Sequence, residues 1–325
     1  MSGVLVLALY RFQEIPEGLL ASARDDLFEL GERSGIRGLL LLAQEGVNGT
    51  VCGEPAQVRT FIEAVQNRLA HGTYSIKESC SNGWPFKRLQ VQVRPEIVTL
   101  DGSVFRPGPV DEQSRLSPNQ WHEWLSPKDG SAAREYTLVD VRNWYETKLG
   151  KFKGAIDPDL KNFGEFPKFL AESGIPRDRP LLMYCTGGIR CEKAAPLLRS
   201  EGYSEVYQLE GGILNYLAAY PNSNFEGECY VFDHRVAVDQ NLAPSQQYGL
   251  CPHCGNPAAS RISCGNCAKD CSICEDCAAL VARNSCSKNC AHHISLRSNF
   301  STGSSPFSGA VVAKSGVSSG GATNA

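Results

Sequence analysis

Pro180-Leu-Leu-Met-Tyr-Cys185-Thr-Gly-Gly-Ile-Arg190-Cys-Glu-Lys-Ala-Ala-Pro-Leu-Leu-Arg-Ser-Glu-Gly-Tyr203 decides how the rest of the chain is read. Leu181 to Tyr184 is a short apolar run, as a buried strand requires. Cys185 falls where that strand ends. Thr186, Gly187, Gly188, Ile189 and Arg190 form a tight loop, and its two glycines let the backbone approach a bound group closely. Ala194, Ala195, Leu197 and Leu198 mark the apolar side of a following helix, with Gly202 at its end. Backbone N–H groups and a helix N-terminus around Cys185 stabilise a thiolate, and Arg190 adds positive charge. The stretch reads as a site for a sulfur nucleophile or an anion. The plain alternative is a small, inert cysteine buried at a strand end.

Thr137 to Arg142 is a second buried strand, ending in charge at Asp140 and Arg142. Val206 to Leu209 is a third, and Glu210-Gly211-Gly212-Ile213 turns into a final helix. Upstream, Ser117-Pro118 opens a helix as N-cap and first helical residue, with Trp121 and Trp124 behind it. Strands alternating with helices give a parallel sheet covered by helices. Ligands of such sheets sit at the carboxyl ends of strands, where Asp140 and Cys185 both fall. This α/β domain is expected over residues 117–224. Asp140 and Arg142 are supporting candidates that orient the loop by hydrogen bonds.

The N-terminal part has a different plan. Val4 to Tyr10 is strand-like, and Leu19, Leu20, Ala23, Leu27 and Leu30 recur at helical spacing. Gly38 to Ala43 is a second apolar run. Glu45-Gly46-Val47-Asn48-Gly49 reads as a hairpin turn returning at Thr50. Val58, Phe61, Ile62, Val65 and Leu69 mark a second helix, and Ser75 to Ser79 and Leu89 to Val93 are further strands. Strand, helix, hairpin, helix, strand is the ferredoxin-like split βαβ plan, here over residues 1–101. Lys87 and Arg88, beside Phe86, are candidate phosphate contacts. Residues 102–116, rich in Gly, Pro and charge, read as a linker.

The chain has 325 residues and 14 cysteines, nine of them between Cys251 and Cys290. That clustering is not a secreted disulfide framework. Residues 225–297 read as a cysteine-rich metal module with Cys251, Cys254, Cys264, Cys267, Cys271, Cys274, Cys277, Cys286 and Cys290 as candidate ligands. His253, His292 and His293 lie alongside. Repeated Cys-x2-Cys pairs suit tetrahedral zinc, and eight thiolates would close two structural sites with one thiol spare. Residues 298–325, mostly Gly, Ser, Ala and Thr with almost no charge, read as a disordered tail. The net charge of −3 gives no global basic field for nucleic acid, so any such contact is local. No apolar stretch is long enough to span a membrane, and Met1 to Tyr10 lacks the basic flank of a signal peptide. The expected compartment is the cytoplasm.

Asp140-Val141-Arg142, Gly154-Ala155-Ile156, the six-residue loop from Cys185 to Arg190 and Glu210-Gly211-Gly212-Ile213 resemble the rhodanese pattern. Four stretches are similar to a narrower subgroup, the rhodanese-domain tRNA uridine 34 hydroxylases. They are Ala43-Gln44-Glu45-Gly46-Val47-Asn48-Gly49-Thr50, Arg142 to Glu146, Met183 to Lys193, and Tyr230-Val231-Phe232-Asp233. The resemblance runs over residues 4–290. It implies a ferredoxin-like domain, a rhodanese domain and a cysteine-rich end. It implies oxygen-dependent conversion of the wobble uridine of tRNA to 5-hydroxyuridine, with Cys185 as nucleophile. Molecular oxygen is then a co-substrate, tRNA the partner, and a sulfur- or electron-donating protein a further candidate partner. Rhodaneses often carry His-x-Pro where this chain has Lys151-Phe152-Lys153, and those two lysines suit an RNA phosphate.

Three rivals stand beside this reading. A thiosulfate or persulfide sulfurtransferase would use the same loop to carry sulfur on Cys185, with Cys191 able to resolve it. A cysteine phosphatase needs Cys-x5-Arg, whereas this loop is Cys-x4-Arg. A non-catalytic zinc-containing interaction protein has no need of the pairing of Cys185 with Arg190.

Overall fold

A computed structural model describes residues 3–69, 72–100, 112–127, 134–280 and 283–301. The N-terminal domain runs β1 (Val4–Phe12), α1 (Glu17–Arg33), β2 (Arg37–Ala43), β3 (Gly46–Gly53), α2 (Pro55–Leu69), β4 (Ser75–Ser81) and β5 (Leu89–Val93). Its sheet order is β4-β1-β3-β2-β5. The first four strands are the ferredoxin-like set, and β5 is an added edge strand parallel to β2. The hairpin turn is tighter than the sequence suggests. β3 begins at Gly46 and pairs it with Ala43. Gly46 has φ +144° and lies so close to the Arg11 carbonyl that a Cβ would overlap it. Strand alternation gives this sheet two unlike faces. Leu5, Leu7 and Leu9 of β1 pack with Leu20, Leu27, Phe61 and Val65 of the two helices. Val6, Ala8 and Tyr10 point the other way, into a cavity.

The second domain adds β6 (Arg115–Leu116), α3 (Pro118–Leu125), β7 (Thr137–Asp140), α4 (Trp144–Thr147), β8 (Gly150–Phe152), α5 (Phe166–Glu172), β9 (Leu181–Tyr184), α6 (Ile189–Ser200), β10 (Val206–Leu209) and α7 (Gly212–Ala219). The sheet is parallel, in the order β6-β10-β9-β7. Ser117 caps α3 as expected and forms a capping box with Gln120. α6 passes through Pro196 without ending.

The expected linker and tail both need correction. Arg115 and Leu116 are not linker but an edge strand of the sheet, paired with Gln208 and Leu209. Glu112–Ser114 of that linker form a short 3-10 turn, and residues 102–111 lie outside the described residues. The expected boundary at residue 224 is not a break in packing either. β11 (Phe225–Gly227) pairs with β8. Together with β12 (Cys229–Tyr230) and β13 (Ala237–Val238), it buries Phe225, Cys229 and Val238 against Phe152, Tyr184 and Tyr216.

The cysteine-rich end carries β14 (Gly249–Leu250), β15 (Pro257–Ala258), β16 (Ser260–Ser263), β17 (Asp270–Ile273), α8 (Glu275–Ala278) and α9 (Lys288–Ser301). α9 continues into the expected tail as far as Ser301, and residues 302–325 lie outside the described residues.

Candidate active site and metal centres

β7 and β9 are neighbours, with Asp140 in register with Tyr184, so their carboxyl ends deliver Asp140 and Cys185 side by side. Thr186, Gly187 and Gly188 form the loop proper, while Ile189 and Arg190 already belong to the first turn of α6. Gly188 has φ +101°, which turns its N–H onto the Cys185 sulfur at 3.1 Å. Gly212 closes the other side. Its φ is +67°, and a Cβ there would overlap the Cys185 carbonyl oxygen. The N–H groups of Ile213 and Leu214 donate to the carbonyls of Cys185 and Thr186 at 3.0 and 3.2 Å. The Gly211-Gly212 pair therefore pins the loop to the start of α7.

The Cys185 sulfur has no exposed surface. Burial pushes its pKa up, but the Cys191 thiol, the Arg190 charge and the N–H groups of Arg190 and Gly188 outweigh that and hold it at about 5. Cys185 is thus a thiolate at neutral pH. Burial and the Cys185 thiolate drive the Cys191 thiol well above its ordinary range. Cys191 stays protonated and donates to Cys185.

Arg190 does not point into open space. Its guanidinium donates twice to Glu146, at 2.5 and 2.7 Å, and both side chains are buried. Glu146 also accepts from the Thr186 hydroxyl at 3.0 Å and from the Asn143 N–H at 3.2 Å. Asp140 and Arg142 form a second buried pair, with contacts of 2.6 and 2.9 Å. Arg142 also donates to the Gly150 carbonyl at 2.6 Å. Both residues brace the floor of the site and do not line its cavity.

The cavity, of about 640 Å³, lies between the two domains. Thr186, Gly187, Ile189 and Arg190 form its floor, and the open sheet face of the N-terminal domain forms its roof. Phe232, 53% exposed, stands at its side with its ring 5.7 Å from the Arg190 guanidinium carbon. Tyr230 packs edge-on against both Phe232 and Tyr145. Roof and floor are tied together. Lys193 of α6, with no exposed side-chain surface, pairs with Glu45 at 2.8 Å and Glu96 at 2.5 Å. Glu45 accepts the Ile97 N–H at 2.6 Å, and the Asn48 amide donates to the Ile97 carbonyl at 2.9 Å. The Glu-Gly-x-Asn-Gly turn is therefore a clasp between the domains. Tyr10 and Arg115 both reach Glu192, at 3.3 and 2.5 Å.

Lys87, Arg88, Lys151 and Lys153 are not brought into the cavity. Lys87 and Arg88 are exposed, and Lys151 and Lys153 pair on the surface with Asp157 at 3.5 Å and Glu226 at 3.7 Å. Sequence reasoning assigned no role to Glu146, Tyr10 or Lys77. Only Glu146 lay within a motif that could have flagged it.

The cysteines separate into two sets of four. Cys251, Cys254, Cys274 and Cys277 form one, and Cys264, Cys267, Cys286 and Cys290 the other, with sulfurs in each set within 4.8 Å of one another. Zn–S bonds of about 2.3 Å set tetrahedral edges of about 3.8 Å between sulfurs. The edges here are 3.5 Å for Cys254–Cys274 and for Cys267–Cys286, 3.7 Å for Cys286–Cys290 and 3.8 Å for Cys267–Cys290. The donor set fits zinc. Cys271, expected among the ligands, joins neither set. It lies within β17 in register with Ile262, so a ladder and not a turn holds its thiol. The histidines also stay out; His253 meets the Ser285 carbonyl at 3.0 Å.

A parallel sheet whose inner strand feeds Cys185 into a Cys-x4-Arg loop defines a rhodanese-type domain, here roofed by a split βαβ domain. Three family models match these parts: the UPF0176 acylphosphatase like domain over residues 4–97, the Rhodanese-like domain over 123–219 and Rhodanase C-terminal over 226–291. A Bdellovibrio bacteriovorus protein named tRNA uridine(34) hydroxylase is 43% identical over 89% of this chain and 81% of its own length. Proteins of the same name from Agrobacterium fabrum and Synechococcus elongatus are 41% and 39% identical. The matches cover 78% of this chain and 78% of the Agrobacterium protein, and 81% of this chain and 95% of the Synechococcus protein. The chain belongs to the tRNA uridine(34) hydroxylase family. Among the described residues, no helix is long and apolar enough to cross a membrane.

Proposed function

We propose that this protein hydroxylates uridine 34 of tRNA at C5 in the cytoplasm, with the Cys185 thiolate as nucleophile. The observation that carries this reading is the two-domain cavity over the Cys185 loop. Its 640 Å³ lies within the range of about 300–1,000 Å³ typical of sites for small organic molecules. The Arg190 guanidinium is held by Glu146 and stays at the floor of this cavity. The Cys191 thiol, Arg190 and the loop N–H groups keep the sulfur ionised, and the aromatic wall at Phe232 offers a surface on which a base can stack. Molecular oxygen supplies the hydroxyl oxygen in this reading. Reducing its second atom to water takes two electrons and two protons, so the reading includes an electron-donating partner.

The test is mass spectrometry of tRNA nucleosides from cells that lack the gene and carry either the wild-type or the Cys185→Ala protein. 5-Hydroxyuridine-derived wobble nucleosides should return only with the wild type. Full restoration by Cys185→Ala rules out the thiolate as nucleophile. Strong thiosulfate:cyanide activity without restoration favours the sulfurtransferase.

The cysteine sets act as structural zinc sites in the same reading, closed and without redox chemistry. Elemental analysis of the purified protein should find two zinc ions per chain. Cys254→Ser should lose one ion and lower the melting temperature, whereas Cys271→Ser should keep both.

A further inference from the structure

We propose that Lys77, contributed by the N-terminal domain, is a catalytic residue of the Cys185 site that binds a ring carbonyl oxygen of the target uridine. This rests on the hydroxylase reading above. Lys77 lies in the middle of β4, opposite Ala8 of β1, on the sheet face that roofs the cavity. Next to it on that face lie Ala8, Tyr10 and Ser79, and Ser79 accepts a hydrogen bond from Arg235, whose charge is paired with Asp233. The ammonium donates to the Ser75 hydroxyl at 3.2 Å and stands 6.0 Å from the centre of the Tyr10 ring. Among the described residues no carboxylate lies within ion-pair distance of it. A half-buried cation without a carboxylate is costly to keep for stability alone.

The charges that act on Lys77 come from the opposite domain. Burial pushes its pKa down, while Cys185 and Glu210 pull it up. Lys77 lines the roof of the cavity whose floor, Thr186, Gly187, Ile189 and Arg190, belongs to the Cys185 loop, so a base held in that cavity would lie between the lysine and the loop.

The chemistry of the first step calls for a cation there. When the thiolate adds to C6 of uracil, the S–C6 bond forms. The C5=C6 electron pair moves to C4=C5, and O4 takes the negative charge. No proton leaves. A Lys77 N–H donated to O4 stabilises that enolate in a site sheltered from water, as donors placed at a developing oxyanion do. C5 is then the electron-rich carbon that the oxidant meets. Arg190 is not available for this role, because Glu146 holds its guanidinium.

The experiment uses the full-length protein and a tRNA with 5-fluorouridine at position 34, which can trap the C6 adduct as a covalent complex on a denaturing gel. Wild type, Lys77→Gln, Lys77→Met and Lys77→Arg are compared at saturating tRNA, with tRNA affinity and melting temperature measured alongside. The two neutral variants should form the adduct about 100-fold more slowly than wild type. Their tRNA affinity should be unchanged and their melting temperature no lower, and Lys77→Arg should recover part of the rate. Adduct formation at the wild-type rate in both neutral variants overturns the assignment. Weaker tRNA binding with a normal rate at saturation also overturns it and makes Lys77 a phosphate contact. Absence of any adduct with wild type, where Cys185→Ala is equally silent, would instead sink the thiolate-addition reading on which the assignment rests.

Discussion

Glu146→Ala is expected to destabilise the protein by about 3–5 kcal/mol, the usual cost of stripping one partner from a buried ion pair. Glu146 has no exposed surface, and its two carboxylate oxygens are shared between Arg190 and Thr186. Burial alone would push its carboxyl pKa up. The Arg190 charge and hydrogen bonds, with Arg142 nearby, hold it below the ordinary value. That contribution to stability is therefore complete above the unfolded carboxyl range and is lost as pH falls through the folded value. With alanine at 146, the Arg190 guanidinium stays buried without a counter-ion and the loop loses its Thr186 anchor. Urea unfolding should show the lower midpoint at an unchanged slope. The double variant Glu146→Met with Arg190→Met removes both charges and should recover most of the stability, because apolar residues of similar volume often replace a buried pair without loss. It should not recover activity, since Arg190 is one of the groups that keep Cys185 ionised. If the double variant melts as low as the single one, the cost lies in packing and not in the orphaned charge.

The parts of the site that were legible in the sequence are those that local spacing encodes. The Cys185 loop, its two glycines and the strand before it lie within one short stretch, and Cys-x2-Cys spacing shows which two thiols share a turn. The split βαβ order follows from alternation and helical period in the same way. Which cysteine turns meet is a different matter. The Cys251 pair joins the Cys274 pair across the intervening Cys264 pair, and no local pattern encodes that interleaving. Cys271 has the same spacing to Cys274 as a true pair does, but it lies in a strand. Lys77 was illegible for a related reason. Ser75 to Ser79 alternates as any half-exposed strand does. Only the approach of the second domain to the open sheet face turns an ordinary surface lysine into a neighbour of Cys185. The Glu-Gly-x-Asn-Gly stretch reads as a hairpin turn, whereas the turn proper is Gln44-Glu45 with Gly46 already in β3, and its role as a clasp depends on Lys193 far along the chain.

The Cys185 thiol is expected to titrate with a midpoint near 5. The ultraviolet absorbance of the thiolate measures this directly, as the difference between wild type and Cys185→Ser across pH; the zinc thiolates common to both cancel. The thiolate should therefore be fully formed at neutral pH, and any pH dependence of the hydroxylation rate near neutrality must come from another group. The sign of the stability effect follows from proton counting. The folded thiol has the lower pKa, 5 against the ordinary 9.0, so between those values the unfolded chain binds more protons. Stability should rise with pH across that window by up to about 1.4 kcal/mol per unit from this one group. The contribution is fully present above the unfolded value and gone below the folded one. Two variants separate the causes. Cys191→Ala removes the thiol that donates to the Cys185 sulfur, and Arg190→Met removes the charge. Each should raise the midpoint, and the two together should bring it back toward the ordinary range while the Gly188 N–H still contributes. A midpoint unchanged in Cys191→Ala would mean that Arg190 and the backbone cradle ionise the sulfur without the Cys191 thiol. Cys191 would then be free to act on a Cys185 sulfenate or persulfide, which is the chemistry the sulfurtransferase rival requires.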